Sequence, residues 1–99
     1  MKIMKGFEYW DRTTADIGTV EAGKPYEVRF HYAGPKKITK VSVGCGSCTQ
    51  AVWDKKNKDI VAIYTPSVGP KSGTKVTKKV TATFEDGVFQ NLEIVSTYA

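Results

Sequence analysis

Few residues in this chain of 99 are of the kinds that do chemistry: Cys45 and Cys48 in Gly44-Cys45-Gly46-Ser47-Cys48-Thr49, a single histidine at position 31, and the adjacent carboxylates Glu85 and Asp86. A C-x-x-C pair serves thiol–disulfide exchange, supplies half of a zinc tetrad, or closes a turn as structural thiols or a disulfide. Redox work calls for a helix N-terminus in a βαβ setting to lower the first thiol's pKa, and no helical pattern accompanies this pair. Zinc needs two further ligands. His31 supplies one, so closure would require a carboxylate as well, or thiolates from a second chain. Alternation sets Cys45 on the face of Val41 and Val43, where a thiol packs as a small hydrophobe. The structural reading fits best, with the redox and metal readings left open.

The other chemical groups point away from catalysis. His31 shares a strand face with Glu27 and Arg29 and carries no local nucleophile signature, so it reads as a solvated or edge histidine. Glu85 and Asp86 are strand neighbours whose side chains project to opposite faces, and Asp86 belongs to a turn. The glycines form no strand–loop–helix phosphate cradle. The reading is therefore a chain with no catalytic, cofactor-binding or metal-binding residues.

Charge is the stronger signal. The net charge is +5, yet residues 36–79 hold ten lysines against Asp54 and Asp59, a local net of +8, and the remainder holds five bases against eight acids, a net of −3. Such asymmetry steers an acidic partner to one part of a surface. Candidate contacts are Lys36, Lys37, Lys55, Lys56, Lys58, Lys71 and Lys75. Lysines guarding strand edges account for the same distribution, and lysine lacks arginine's bidentate fork. Single-strand nucleic-acid binders interleave aromatics with basic residues. Here Trp53 and Tyr64 are the aromatics in the basic segment, which disfavours nucleic acid. Trp53 reads as a core anchor in preference to an interface residue.

The elements that must position these groups are strands. Tyr26, Val28, Phe30 and Tyr32 alternate with Glu27, Arg29 and His31, and Val41 and Val43 alternate with Ser42 and Gly44. Residues Ile60-Val61-Ala62-Ile63-Tyr64 form a nearly continuous apolar run, as expected for a strand covered on both sides. Val76, Val80, Ala82 and Phe84 alternate with Thr77, Lys79, Thr81 and Thr83. Asp86-Gly87 then predicts a two-residue hairpin turn into Val88, Leu92 and Ile94. Phe7, Tyr9 and Trp10 suggest a further strand. Short spacing between Gly23-Lys24-Pro25, Gly34-Pro35, Pro66 and Gly69-Pro70 predicts an all-β, Ig-like antiparallel β-sandwich of about seven strands, one domain over residues 1–99. No apolar run approaches the roughly 20 residues of a spanning helix, and the start has no apolar signal region, which reads as a complete chain made in a cytoplasm without a membrane partner.

The order of motifs resembles a family of small Ig-like domains of the Hydin and major-sperm-protein type. Its members read D-F-G-x-V, a glycine, an aromatic strand, an L-x-I strand and C-G-C-T. The counterparts here are Asp16-Ile17-Gly18-Thr19-Val20, Gly23, Tyr26 through Phe30, Ile38 through Val43, Cys45-Gly46-Ser47-Cys48-Thr49, and Ile60 through Pro66. Ser47 widens the cysteine spacing relative to that pattern. Single-domain versions of this length resemble those carried by tailed bacteriophages. The resemblance implies a non-enzymatic virion protein, such as a capsid decoration or accessory structural component, whose partner is a virion protein with an acidic surface. Two alternatives are an adaptor that binds a host or viral protein by edge-strand addition, and a small thiol-disulfide protein using Cys45 and Cys48.

Overall fold

The computed structural model describes residues 9–44, 46 and 48–99. Seven strands carry the described chain: β1 Thr14–Val20, β2 Tyr26–His31, β3 Ile38–Val43, β4 Thr49–Asp54, β5 Asp59–Tyr64, β6 Lys75–Phe84 and β7 Phe89–Tyr98. They form two layers, one ordered β1-β7-β6-β3 and the other β2-β5-β4. The layers enclose one core, and the fold is a β-sandwich. Setting 2-5-4 against 3-6-7 is the immunoglobulin arrangement, with the first strand placed on the second sheet. Only β4–β5 and β6–β7 are hairpins within one sheet; the other connections cross between layers.

The core comes directly from alternation. Val28, Phe30, Ile60, Ala62, Tyr64, Val80, Ala82, Leu92 and Ile94 are all buried, while Glu27, Arg29, His31, Thr77 and Lys79 face water. Buried polar atoms are matched: the Ser96 hydroxyl donates to the Tyr64 hydroxyl at 3.4 Å, and the Tyr98 hydroxyl donates to the Ser67 carbonyl at 2.7 Å. A donor buried without a partner would cost about 1–3 kcal/mol.

Several expectations change. The sandwich is not wholly antiparallel, because β1 runs parallel to β7. Its register breaks between Asp16 and Thr19, where Gly18 takes φ +77° and donates its N–H to the Asp16 carboxylate at 2.9 Å. No strand forms at Tyr9–Trp10: Trp10 makes one isolated bridge to Tyr32, and Phe7 lies outside the described residues. Strand β5 is covered on one face only. Val61 and Ile63 are half-buried there, so its β-branched run reflects a central position between β2 and β4 rather than a second covering layer. The β6–β7 turn has three residues, Glu85-Asp86-Gly87, closed by Phe84 N–H to Val88 C=O at 2.8 Å. A two-residue type I′ turn needs positive φ at both Asp86 and Gly87, and only Gly87 has it (+85°). Val88 shares the parity of inward Leu92 and Ile94 but sits at the turn, just before β7 begins at Phe89, and it is exposed, not core.

Candidate interaction surface

The connections assign each candidate lysine to an end of the sandwich. His31, Asp54 and Asp59 lie side by side in one sheet, and Ile38, Phe84 and Thr83–Phe89 do so in the other. The β2–β3 connection joins these groups. Its Tyr32 ring packs on Phe84 at 5.3 Å and Trp10 at 4.8 Å, and the Trp10 indole donates to the Gln90 side chain at 3.0 Å. Lys36, Lys37, Lys55, Lys56 and Lys58 therefore occupy this end. Lys71 and Lys75 occupy the other: Lys75 starts β6 and Phe84 ends it, roughly 30 Å away at about 3.4 Å per residue. The seven lysines do not form one patch.

Nor are the five at the first end equivalent. Lys36 is held by Asp86 at 2.9 Å and lies 5.6 Å from the Phe84 ring centre. Hydrogen bonding between the two raises the lysine's pKa and holds the Asp86 carboxyl below its usual range. Lys36 is thus a clasp between the β2–β3 connection and the β6–β7 turn. The backbone of Lys37 brackets Glu85, accepting its N–H at 2.9 Å, while the side chain is exposed. Lys55, Lys56 and Lys58 are exposed on the β4–β5 turn. Asn57 donates to the Asp54 carboxylate at 2.8 Å, which lowers the Asp54 pKa, and Lys58 closes the turn with φ +58°.

Beside the lysines of this end stand apolar groups that the charge pattern had not singled out. Phe89 is 63% exposed, Val88 51% and Tyr9 41%. The parity of β7 held the clue. Leu92 and Ile94 point inward, so odd-numbered Phe89 must point outward.

The chemical groups resolve separately. Cys48 is buried and disulfide-bonded, at the opposite end from the β4–β5 turn, and its carbonyl accepts the Thr65 N–H at 2.7 Å. Cys45 lies outside the described residues. Among the described residues no cluster of three or more His, Cys, Asp or Glu is placed to hold a metal ion. His31 is on an edge strand and exposed, as expected, but it is partnered. Its Nδ1 lies 2.8 Å from the Asp59 carboxylate, whose other oxygen meets Arg29 at 3.2 Å, and Arg29 meets Glu27 at 2.7 Å. Those carboxylates raise the Arg29 pKa, Glu27 first. The ladder ties β2 to β5. Trp53 is half-buried against the core.

No family model and no curated protein matches the chain. Among solved structures, the crystal structure of a Vibrionaceae Photobacterium sp. JT-ISH-224 2,6-sialyltransferase, in a ternary complex with donor product CMP and acceptor substrate lactose, is similar at 13% identity and a TM-score of 0.46. The match covers 90% of this chain and 18% of that one. Such distant likeness says nothing about this chain's activity. Among the described residues, no helix is long and apolar enough to cross a membrane.

Proposed function

We propose that this chain is a non-enzymatic β-sandwich that binds another protein through the end bearing the β2–β3, β4–β5 and β6–β7 turns. The setting we propose is the one its sequence resemblance implies: an accessory component of a tailed-bacteriophage particle, attached to an acidic virion surface. The observation that carries the binding reading is the grouping of exposed Phe89 and Val88 with Lys37, Lys55, Lys56 and Lys58 at one end. Apolar anchors surrounded by charged residues are the usual anatomy of a protein interface, where the anchors hold and the rim steers. Passing from fold to virion role is analogy. Lys71 and Lys75 drop out of the contact set, and Lys36 enters it only as the clasp.

The test is attachment to particles of the virus that encodes the chain. Quantitative peptide mass spectrometry should find copies in fixed proportion to a major capsid or tail protein. Phe89→Ser should abolish attachment, and joint Lys55→Glu, Lys56→Glu exchange should weaken it more at low than at high salt. Absence from particles would sink the virion setting. Undiminished binding by both variants would sink the surface.

A further inference from the structure

The sandwich has four edge strands, and three are guarded. At β1 a register break and Gly18 interrupt the ladder. At β2 the outward groups are taken: Asp11 N–H donates to the His31 carbonyl at 3.1 Å, His31 N–H donates to the Asp11 carboxylate at 3.0 Å, and Arg12 donates to the Arg29 carbonyl at 2.8 Å. At β3 the register shifts between Ile38 and Lys40, and Lys40 stands exposed on the strand. These are the ordinary devices against unwanted pairing.

Among the described residues, strand β4 shows none of them. It runs in unbroken register with β5 over six residues, Thr-Gln-Ala-Val-Trp-Asp, without proline, glycine or lysine. The Thr65 N–H to Cys48 C=O bond sets the phase of that ladder. Bonded pairs alternate in an antiparallel sheet. Residues 50, 52 and 54 therefore bond to β5, and Thr49, Ala51 and Trp53 aim their N–H and C=O away from it; Thr49 is buried, so half-buried Ala51 and Trp53 form the open part of the edge. Apolar surface lies on both sides of the edge. Outward, Val52 is 62% exposed beside half-buried Val61, its partner across the ladder. Inward, Val41 and Val43 of β3 and Ala51 and Trp53 of β4 reach the core only partly covered, although inward side chains on the central strands are fully buried.

We propose that the β4 edge receives an extended segment of the partner protein as an eighth strand, apolar at alternate positions and acidic where it passes the β4–β5 turn. The inference rests on the protein-binding reading above and names its mode. Backbone groups of Ala51 and Trp53 supply the pairing, as in strand addition generally. Inward side chains of the segment close the seam between β3 and β4, and its acidic end meets Lys55 and Lys56. A second copy of this chain fits less well. Six residues give a contact roughly 20 Å long, small against the area a stable dimer buries. The second copy's own Ala51 and Trp53 would already be committed to its own core.

A displayed library of peptides about twelve residues long, panned on the intact protein, tests this. Enriched peptides should alternate apolar residues and carry acids at one end. On binding they should shift and protect the amides of Ala51 and Trp53 in NMR hydrogen exchange. Ala51→Pro removes an N–H that faces outward, so it leaves the β5 ladder intact and should reduce peptide affinity at least tenfold. Should that variant fail to fold, backbone N-methylation of the selected peptide keeps the test decisive: methyls at alternate positions of one parity should abolish binding, and the other parity should not. Peptides that bind Ala51→Pro undiminished, methylation without parity, or no enrichment over that variant would overturn the proposal. So would a concentration-dependent dimer lost in Ala51→Pro, which would give the edge to a second copy. Attachment to particles that survives Ala51→Pro but not Phe89→Ser would retire strand addition and keep the binding end.

Discussion

Along the flank formed by β1 and β2, the chain closes its own edge. Trp10 bridges Tyr32, Asp11 and Arg12 occupy outward groups of β2, and Ala15, Val20, Val28 and Phe30 are fully buried, with Ile17 half covered. Along the flank formed by β3 and β4, Ile38 and Thr49 are buried, but Val41, Val43, Ala51 and Trp53 are only half covered. Both flanks obey the same alternation, so hydrophobicity does not separate them. What separates them is whether another described stretch of the chain lies across the edge. A flank that the chain leaves open, with its backbone in regular register, is the place to look for a partner.

The sharpest test of that contrast uses the two tryptophans. Trp10→Ala should cost about 3–5 kcal/mol of stability in urea unfolding, since it empties a buried site and orphans Gln90. Trp53→Ala should cost about 1–2 kcal/mol, because part of its ring already meets water. Equal costs would erase the difference between the flanks. Next come two alanines paired with their neighbours in the opposite sense of crowding. Ala62→Val adds volume at a site with no exposure and should destabilise by about 1–3 kcal/mol. Ala51→Val lies on the open seam and should stay within about 0.5 kcal/mol of the parent. A smaller loss, about 1–2 kcal/mol, is expected for Gly34→Ala, whose new methyl would overlap the Tyr32 and Tyr9 rings of the closed flank. The thermal midpoint checks it, with loss of the Tyr9–Tyr32 edge contact visible in near-ultraviolet circular dichroism.

The smallest effect concerns the clasp between Lys36 and Asp86. Hydrogen bonding to Lys36 depresses the Asp86 pKa in the folded state. Its contribution is therefore present above the unfolded carboxyl value of about 4 and lost as pH falls through the folded value. Asp86→Asn should shallow the acid limb of a stability–pH curve and leave the neutral region nearly unchanged, the pair being exposed. An unchanged acid limb would show that the clasp is not formed in solution.

Much of this architecture was legible in the residues. The alternation of Val28 and Phe30, of Val80, Ala82 and Phe84, and of Leu92 and Ile94 marked inward faces that the fold keeps. Strand β4 escaped notice because its outward face includes Val52 and its inward face Thr49 and Ala51, so the polar–apolar contrast is weak. Val88 was misplaced because it falls at the turn, before β7 begins at Phe89, where alternation along the strand no longer decides burial. The lysines were grouped by sequence proximity, and sequence proximity across an interlayer connection means little.

By itself, then, the sequence determined that this chain forms strands, which side chains of β2, β6 and most of β7 face the core, and that positive charge concentrates in its middle. Those properties depend on neighbours one or two residues apart, through backbone stereochemistry and local hydrophobic contrast. Only the tertiary structure decided that β1 lies parallel to β7, that Lys71 and Lys75 sit at the opposite end from Lys55 and Lys56, and that no described residue lies across β4 at Ala51 and Trp53. These depend on which strands meet across long stretches of chain, a choice made by packing two sheets around one core.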